Sequence, residues 1–332
     1  MNGPLEGPLG IAIIGCGLIG RKRAADLPEG VRVATACDLD VGRVEALVAD
    51  LAPGAVPTDD PHAAISHPDV GLVIVATTHD QLAALGRMAI SEGRHVLLEK
   101  PGSHRTEPLL ELADLADSLG LQVRVGYNHR FHPGFLKIRE LGGEGRYGPL
   151  LWIRARYGHG GRIGYESEWR ADPSLSGGGE LIDQGSHLID LTRCLTGEVD
   201  LEFSEYATQF WDMPVDDNVY LALRPRTGGF AWLHASWTEW KNLFSFEVSY
   251  RTAKFELTGL GGSYGPERLV LHEMRPEMGP PDSTVFEFPE ADGSWRLETE
   301  DVVASIQGRP AMGADIRDAL AVHDIIDEVY DQ

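Results

Sequence analysis

One pattern constrains this chain more than any other. From Leu9 to about Tyr127, short β-branched runs alternate with longer amphipathic segments. That alternation predicts βαβ units, and hence a parallel sheet with helices on both faces. The strands read as Gly10–Ile14, Val31–Cys37, Val70–Thr77, His95–Glu99 and Gln122–Gly126. Helices are predicted over Asp80–Glu92 and Glu107–Leu119, each followed by a glycine, Gly93 or Gly120, suited to a left-handed C-cap. The expectation for residues 1–127 is a doubly wound α/β domain that binds a dinucleotide.

The texture then changes. A short helix over Pro133–Leu141 and a strand over Gly148–Tyr157 precede Gly177–Gly179, which opens a helix running to about Leu195. Alternating segments follow at 199–211, 217–224, 229–240, 244–258 and 267–272, and a last amphipathic helix covers Ile316–Tyr330. This half reads as an α+β domain over 128–312, dominated by an antiparallel sheet, with a C-terminal helix in 313–332 that returns to a helical layer. With 332 residues, 42% of them hydrophobic, the chain is long enough for two such cores.

Charge narrows the partners. Fifty-one Asp and Glu against 29 Lys and Arg give a net charge of -22, which repels nucleic acid and anionic lipid. Cys16, Cys37 and Cys194 are odd in number and sit in apolar runs, the pattern of reduced core thiols. The N-terminus has neither a basic start nor an apolar h-region, and no run of about 18 apolar residues occurs. A cytoplasmic protein without a nucleic-acid or membrane partner is expected.

Three motifs carry chemistry. After the first strand comes Gly15-Cys16-Gly17-Leu18-Ile19-Gly20, a GxGxxG pattern leading into a helix. Its glycines permit a tight turn and close backbone approach, so that helix N-terminal amides meet a pyrophosphate. Asp38 ends the second strand, 23 positions after Gly15. A carboxylate there accepts hydrogen bonds from an adenosine ribose and repels a 2'-phosphate, favouring NAD over NADP. The other reading of Asp38 is a cap on the next turn, with Asp40 and Arg43 free to alter the preference.

The fifth strand ends in Glu99-Lys100-Pro101, at the edge where parallel strands open onto a ligand crevice. In the second half, the helix after Gly179 buries 181, 182, 185, 188 and 189, while Asp183 and His187, four apart, share the opposite stripe. A histidine takes a hydroxyl proton near neutral pH, and a carboxylate one turn away orients it.

The glycine-loop start, the Glu99-Lys100-Pro101 strand end and the Asp183-Gln184-Gly185-Ser186-His187 helix lie about 80 residues apart. Together they resemble the glucose-fructose oxidoreductase/inositol dehydrogenase/MocA family along nearly the whole chain. The resemblance implies an N-terminal Rossmann domain, a C-terminal domain with an open antiparallel sheet, and hydride transfer between nicotinamide and a secondary carbinol of a sugar or cyclitol. It also implies roles: Lys100 contacts the substrate hydroxyl and nicotinamide ribose, His187 is the general acid/base, and Asp183 binds substrate and tunes the pair. Tyr127-Asn128-His129-Arg130-Phe131 resembles the family's Asn-x-Arg stretch, so Asn128 faces nicotinamide and Arg130 faces substrate or forms an interdomain salt bridge.

The fourth strand ends in Ala76-Thr77-Thr78-His79-Asp80, a departure from the family's commoner Thr-Pro-Asn turn. Thr77, Thr78 and His79 are expected to line the cofactor, with a helix-capping role for His79 as the alternative. The open sheet leaves one face to cover, which implies a homodimer or homotetramer.

Substrate type rests on Arg154, Arg156, Tyr157, Arg162, Trp169 and Arg170. Arginines near the helix would select a phosphate, nucleotide diphosphate or carboxylate unless acidic neighbours satisfy them. Trp169 stacks on a sugar or belongs to the core. No metal is expected, because His129, His132 and His159 lack thiolate or carboxylate companions at tetrahedral spacing. Two rival functions stand beside dehydrogenation: redox-neutral glycoside cleavage or epimerisation with retained NAD, and a non-catalytic NAD-binding regulator.

Overall fold

The computed structural model describes residues 8–143 and 145–332. The chain forms two compact units, one running to Asn128 and resuming at Trp295–His323, the other comprising His129–Ser294 and Asp324–Gln332.

The first unit holds a six-stranded parallel sheet: β1 Leu9–Ile14, β2 Val31–Cys37, β3 Val56–Thr58, β4 Val70–Val75, β5 His95–Glu99 and β6 Val123–Gly126. Their spatial order is β3-β2-β1-β4-β5-β6, so the chain reverses its direction of travel between β1 and β4, where such sheets bind dinucleotides. All six residues of β1 are buried, as expected of a strand covered on both faces. The connecting helices are α1 Leu18–Ala25, α2 Val41–Leu51, α3 Pro61–Ser66, α4 His79–Ser91 and α5 Thr106–Leu119. Gly120 closes α5 at φ 65°, the left-handed cap expected from its position.

The first stretch of this unit ends at Asn128, next to the expected boundary at 127, and the chain returns to it at Trp295–His323. Val302 and Ile306 of the later helix α9, Ser294–Ile306, pack with Leu9, Ile11, Val33 and Leu47 in one core. The sequence reading left this helix out, because Ser294–Ile306 carries many polar residues and only a narrow apolar stripe. The three-residue β3 was likewise too short to register.

The second unit is built on an eight-stranded sheet: β7 Leu150–Gly158, β8 Val199–Ala207, β9 Asn218–Pro225, β10 Ala231–Ser236, β11 Leu243–Tyr250, β12 Ala253–Thr258, β13 Glu267–Glu273 and β14 Asp282–Phe288. The order is β14-β13-β12-β11-β7-β10-β9-β8, antiparallel throughout except for the parallel pair β7 and β10. The expected single segment 244–258 is a hairpin, turning between Tyr250 and Ala253. Strand alternation sorts the faces: Ile153, Ala155, Tyr157, Leu233, Phe244, Phe246 and Phe255 are buried, whereas Arg154, Arg156 and Trp232 point the other way and are exposed. Helices α6 Pro133–Gly142, α7 Pro173–Ser176 and α8 Ser186–Thr196 belong to this unit, and the last helix is α10 Ile316–Tyr330.

One expectation is corrected at the centre of this unit. The stretch after Gly179 is not a uniform α-helix: Leu181–Gly185 is a π-helical turn that passes into α8. Every residue from Gly178 to Thr192 is buried, Asp183 and His187 among them. None of the described helices is long and apolar enough to cross a membrane.

Candidate functional site

In the first unit, each glycine of the loop after β1 has its own reason. Gly15 has φ 95°, and a Cβ on it would lie 2.4 Å from the Ala76 carbonyl oxygen. At Gly20 a Cβ would sit 1.9 Å from the Gly15 carbonyl oxygen, so α1 packs against the strand end only with glycine there. Gly17 is different: it is the N-cap of α1, and a Cβ there would meet nothing within 4 Å. The space beside the N-terminus of α1 is therefore open at Gly17. Leu18 is 74% exposed at the same mouth, and Ile19 is half-buried.

Asp38 faces this loop. Its Oδ2 accepts from the Cys16 amide at 2.8 Å and its Oδ1 from the Asp40 amide at 2.9 Å. Asp40, not Asp38, caps α2, accepting from the Arg43 amide and pairing with the Arg43 guanidinium at 3.3 Å. Burial, with Asp38 next in weight, pushes the Cys16 thiol up to about 12, and burial raises Cys37 to about 11. At the end of β4, Thr78 is the N-cap of α4 and donates to Asp80 at 2.6 Å, while the Thr77 hydroxyl donates to the Thr78 carbonyl at 3.3 Å. His79 opens α4 and is buried rather than acting as the cap.

Lys100 follows β5 directly, half-buried, and the Lys100–Pro101 peptide is cis. Glu99, which the strand-end motif marks as a cofactor-binding candidate, has its carboxylate engaged inside the unit. Arg23, fully buried, reaches Glu99 at 2.7 Å and Glu298 at 2.6 Å and lies 4.5 Å from the Trp295 ring. Burial opposes the Arg23 charge, but the two carboxylates outweigh it and hold its pKa above the ordinary value. Gly126 leaves room for this pair, since a Cβ there would lie 2.6 Å from the Arg23 guanidinium. Asn128 is buried at the end of the segment that follows β6.

The second unit gathers a buried polar cluster. His187 is 5% exposed; its ring centroid lies 3.9 Å from that of His129 and 6.0 Å from that of Tyr157. Asp183 accepts from Arg170 Nε at 3.2 Å, and the Arg170 guanidinium lies 4.5 Å from the Trp169 ring. Burial works against the Arg170 charge, yet Asp183, Tyr165 and Glu168 together raise its pKa. Gln184 donates to the Tyr264 hydroxyl at 3.0 Å, and Tyr157 donates to the same oxygen. Burial first, then Tyr264 and Asp183, holds Tyr157 well above its ordinary range, and burial pushes Tyr264 up to about 12. Both phenols are therefore proton donors at neutral pH.

The other expected substrate arginines occupy three different environments. Arg130 forms a buried two-pronged pair with Asp190, at 2.9 Å from Nε and 2.6 Å from the terminal nitrogen. Arg156 neighbours Tyr157 in sequence and so points to the opposite face of the sheet, between Ser245 and His234. Arg162 is exposed and pairs with Glu168 at 2.6 Å.

His129 and Tyr264 escaped the sequence reading. His129 lies inside the quoted Tyr127–Phe131 run, but nothing in its spacing tied it to His187, and Tyr264 follows two glycines in an unpatterned turn.

A glycine loop at the N-terminus of α1, an acidic residue after β2 and, elsewhere in the chain, a buried histidine one turn from an arginine-paired carboxylate are the features of a nicotinamide-dependent oxidoreductase. The chain belongs to the GFO/IDH/MocA family: residues 9–127 match its oxidoreductase model, described as an NAD-binding Rossmann fold, and residues 135–264 match its C-terminal domain. D-glucoside 3-dehydrogenase of Escherichia coli K12 is 26% identical over 345 residues, covering 97% of this chain and 95% of the relative. Inositol 2-dehydrogenase 2 of Saccharopolyspora erythraea is 29% identical over 194 residues. That match spans 57% of this chain and about half (54%) of the relative's length. Among solved structures, levoglucosan dehydrogenase in complex with NADH superposes with a TM-score of 0.87 at 19% identity, covering 98% and 96% of the two chains, which is a likeness of fold.

Proposed function

We propose that this oxidoreductase transfers a hydride between NAD and a secondary hydroxyl, or the corresponding ketone, of a sugar, sugar derivative or cyclitol. The observation that carries the reading is the buried His187, with Asp183 held by Arg170 one turn away, in a chain whose other unit is an NAD-binding Rossmann domain. Full-length similarity to a D-glucoside dehydrogenase and partial similarity to an inositol dehydrogenase support the substrate class.

The dinucleotide, when bound, would supply the hydride acceptor at its nicotinamide. For the carbinol carbon to release the hydride, the hydroxyl proton has to leave at the same time, and His187 is the group assigned to take it. Asp183 stabilises the imidazolium and binds substrate, while the Lys100 ammonium stabilises the developing alkoxide and contacts the nicotinamide ribose. Tyr157 and Arg170 offer hydrogen-bond donors to substrate hydroxyls, and Trp169 offers a ring face. Gly15, Gly17, Leu18, Ile19 and Gly20 would hold the pyrophosphate, and Asp38 would take the adenosine ribose, favouring NAD over NADP. Thr77, Thr78, His79 and Asn128 are assigned to the nicotinamide side.

A second copy of the chain is the proposed cover for the outer face of the eight-stranded sheet, as a homodimer or homotetramer. Two stacked pairs lie there among charges of both signs: Phe203 on Trp232 at 6.2 Å and Tyr220 on His234 at 4.3 Å. The odd count of cysteines, set in apolar runs, supports a reducing, cytoplasmic setting as part of this proposal.

The test is nicotinamide absorbance when the protein and NAD, then NADP, meet inositols, free sugars, glycosides, sugar phosphates and nucleotide sugars. Reduction of NAD by a polyol is expected. Silence across the panel, with NAD neither bound nor bindable, would overturn the reading.

A further inference from the structure

The π turn that carries Asp183 is held by groups to which the reaction gives no part. Asp216 is buried beneath it, outside the regular strands. Its Oδ1 accepts from the Gly179 amide at 3.0 Å, its Oδ2 from the Leu181 amide at 2.8 Å, and its carbonyl oxygen from the Glu180 amide at 2.9 Å. Three successive amides at the start of the turn thus end on one residue, which supplies the partners that helix N-termini lack. Tyr330 locks this arrangement. Its hydroxyl donates to Asp216 Oδ1 at 2.7 Å and accepts from the Gly179 amide at 3.2 Å.

The glycines before the turn exist for this contact. A Cβ on Gly178 would lie 2.3 Å from the Tyr330 hydroxyl, and one on Gly179 would lie 1.9 Å from the Asp216 carbonyl oxygen. A π turn is rare and less favourable than an α turn, so it persists where its surroundings impose it. The choice matters at Asp183, because the turn type sets the angle at which that side chain leaves the helix relative to His187.

We propose that Asp216 and Tyr330 are positioning residues, which impose the π turn and thereby set Asp183 against His187. This rests on the reading of His187 as the acid/base group. Tyr330→Phe is the gentle probe, since the ring keeps its edge contact with Tyr206 at 5.3 Å and loses only the hydroxyl. Its kcat is expected to fall about tenfold, since small displacements of reacting groups have effects of this order. NAD affinity should be unchanged, and the primary deuterium isotope effect on kcat should rise as the chemical step slows. Asp216→Asn should lose more, because its amide group presents donors to the backbone amides.

A second readout needs no substrate. The carbon-bound imidazole protons of His187, assigned by their loss in His187→Gln, lie among the rings of His129 and Tyr157, so ring currents make their resonance a ruler of position. The proposal expects that resonance to move in Tyr330→Phe. If Tyr330→Phe melts earlier but keeps wild-type kcat, isotope effect and His187 resonance, Tyr330 is a brace for stability and the proposal is overturned. If the wild type itself converts no polyol, the functional reading fails separately, and the resonance alone decides: a shift upholds the clamp, and an unchanged position refutes it.

Discussion

The glycine loop after β1 and the π turn before α8, to which the proposed function assigns cofactor and substrate, are built in opposite ways. The loop is made of backbone: Gly15, Gly17 and Gly20 lie within six residues of sequence, and what each does follows from the absence of a Cβ at that one position. The π turn is made of side chains brought from afar. Asp183 depends on Arg170, His187 lies against His129 and Tyr157, and the turn hangs on Asp216 and Tyr330. A backbone site is robust to distant change and fragile at its own glycines; a side-chain site is exposed to substitutions scattered over the unit.

The strongest test of that contrast is His187→Gln. Turnover should fall by about a hundred- to ten-thousandfold, the range for losing a general acid/base, while NAD affinity measured by calorimetry stays at the wild-type value. Next comes Arg23→Met, which leaves Glu99 and Glu298 buried without their cation. Denaturant unfolding should register a loss of about 3–5 kcal/mol, the usual cost of breaking a buried ion pair. A loss near zero would mean that the buried carboxylates find other partners.

The glycines separate binding from folding. Gly20→Ala drives a methyl into the Gly15 carbonyl and should destabilise by about 1–3 kcal/mol, as overpacking does. Gly17→Ala meets open space, so melting should be unchanged, while NAD affinity falls about tenfold if the pyrophosphate approaches there. Equal effects of the two on melting would erase the distinction drawn between them.

How much of this was legible in the sequence follows the same division. β2 and β5 begin and end where the alternation placed them, because a buried parallel strand is a run of apolar residues that needs no partner to be recognised. Asp183 and His187 were legible as a pair by their spacing, but not their burial or the π turn, which depends on Asp216 more than 30 positions away. Arg130, Arg156 and Arg162 looked alike as cations; their partners distinguish them, and a partner such as Asp190 or Glu168 is a fact of packing. Glu99 was read from the strand-end motif, and its engagement by Arg23 has no local signature.

The smallest expected effect is one of pH. Asp217 accepts from the amides of Gln209, Phe210 and Trp211 at 2.8–2.9 Å. Burial raises its pKa, but these bonds to the charged form outweigh burial, so the folded value lies below the ordinary one. A depressed folded pKa means that the stabilisation is present above the unfolded value, about 3.9, and is lost as pH falls through the folded value. Unfolding midpoints should therefore drop on acidification below about pH 4, and Asp217→Asn should flatten that part of the curve.

The account's central claim is direct hydride transfer between a carbinol carbon and nicotinamide, and one labelling measurement tests it. A polyol substrate from the panel, deuterated at the reacting carbon, is incubated with the protein and NAD, and the reduced dinucleotide is read by NMR. The account predicts deuterium at C4 of the nicotinamide, on one face only. Deuterium found in water, with none on the dinucleotide, would contradict it.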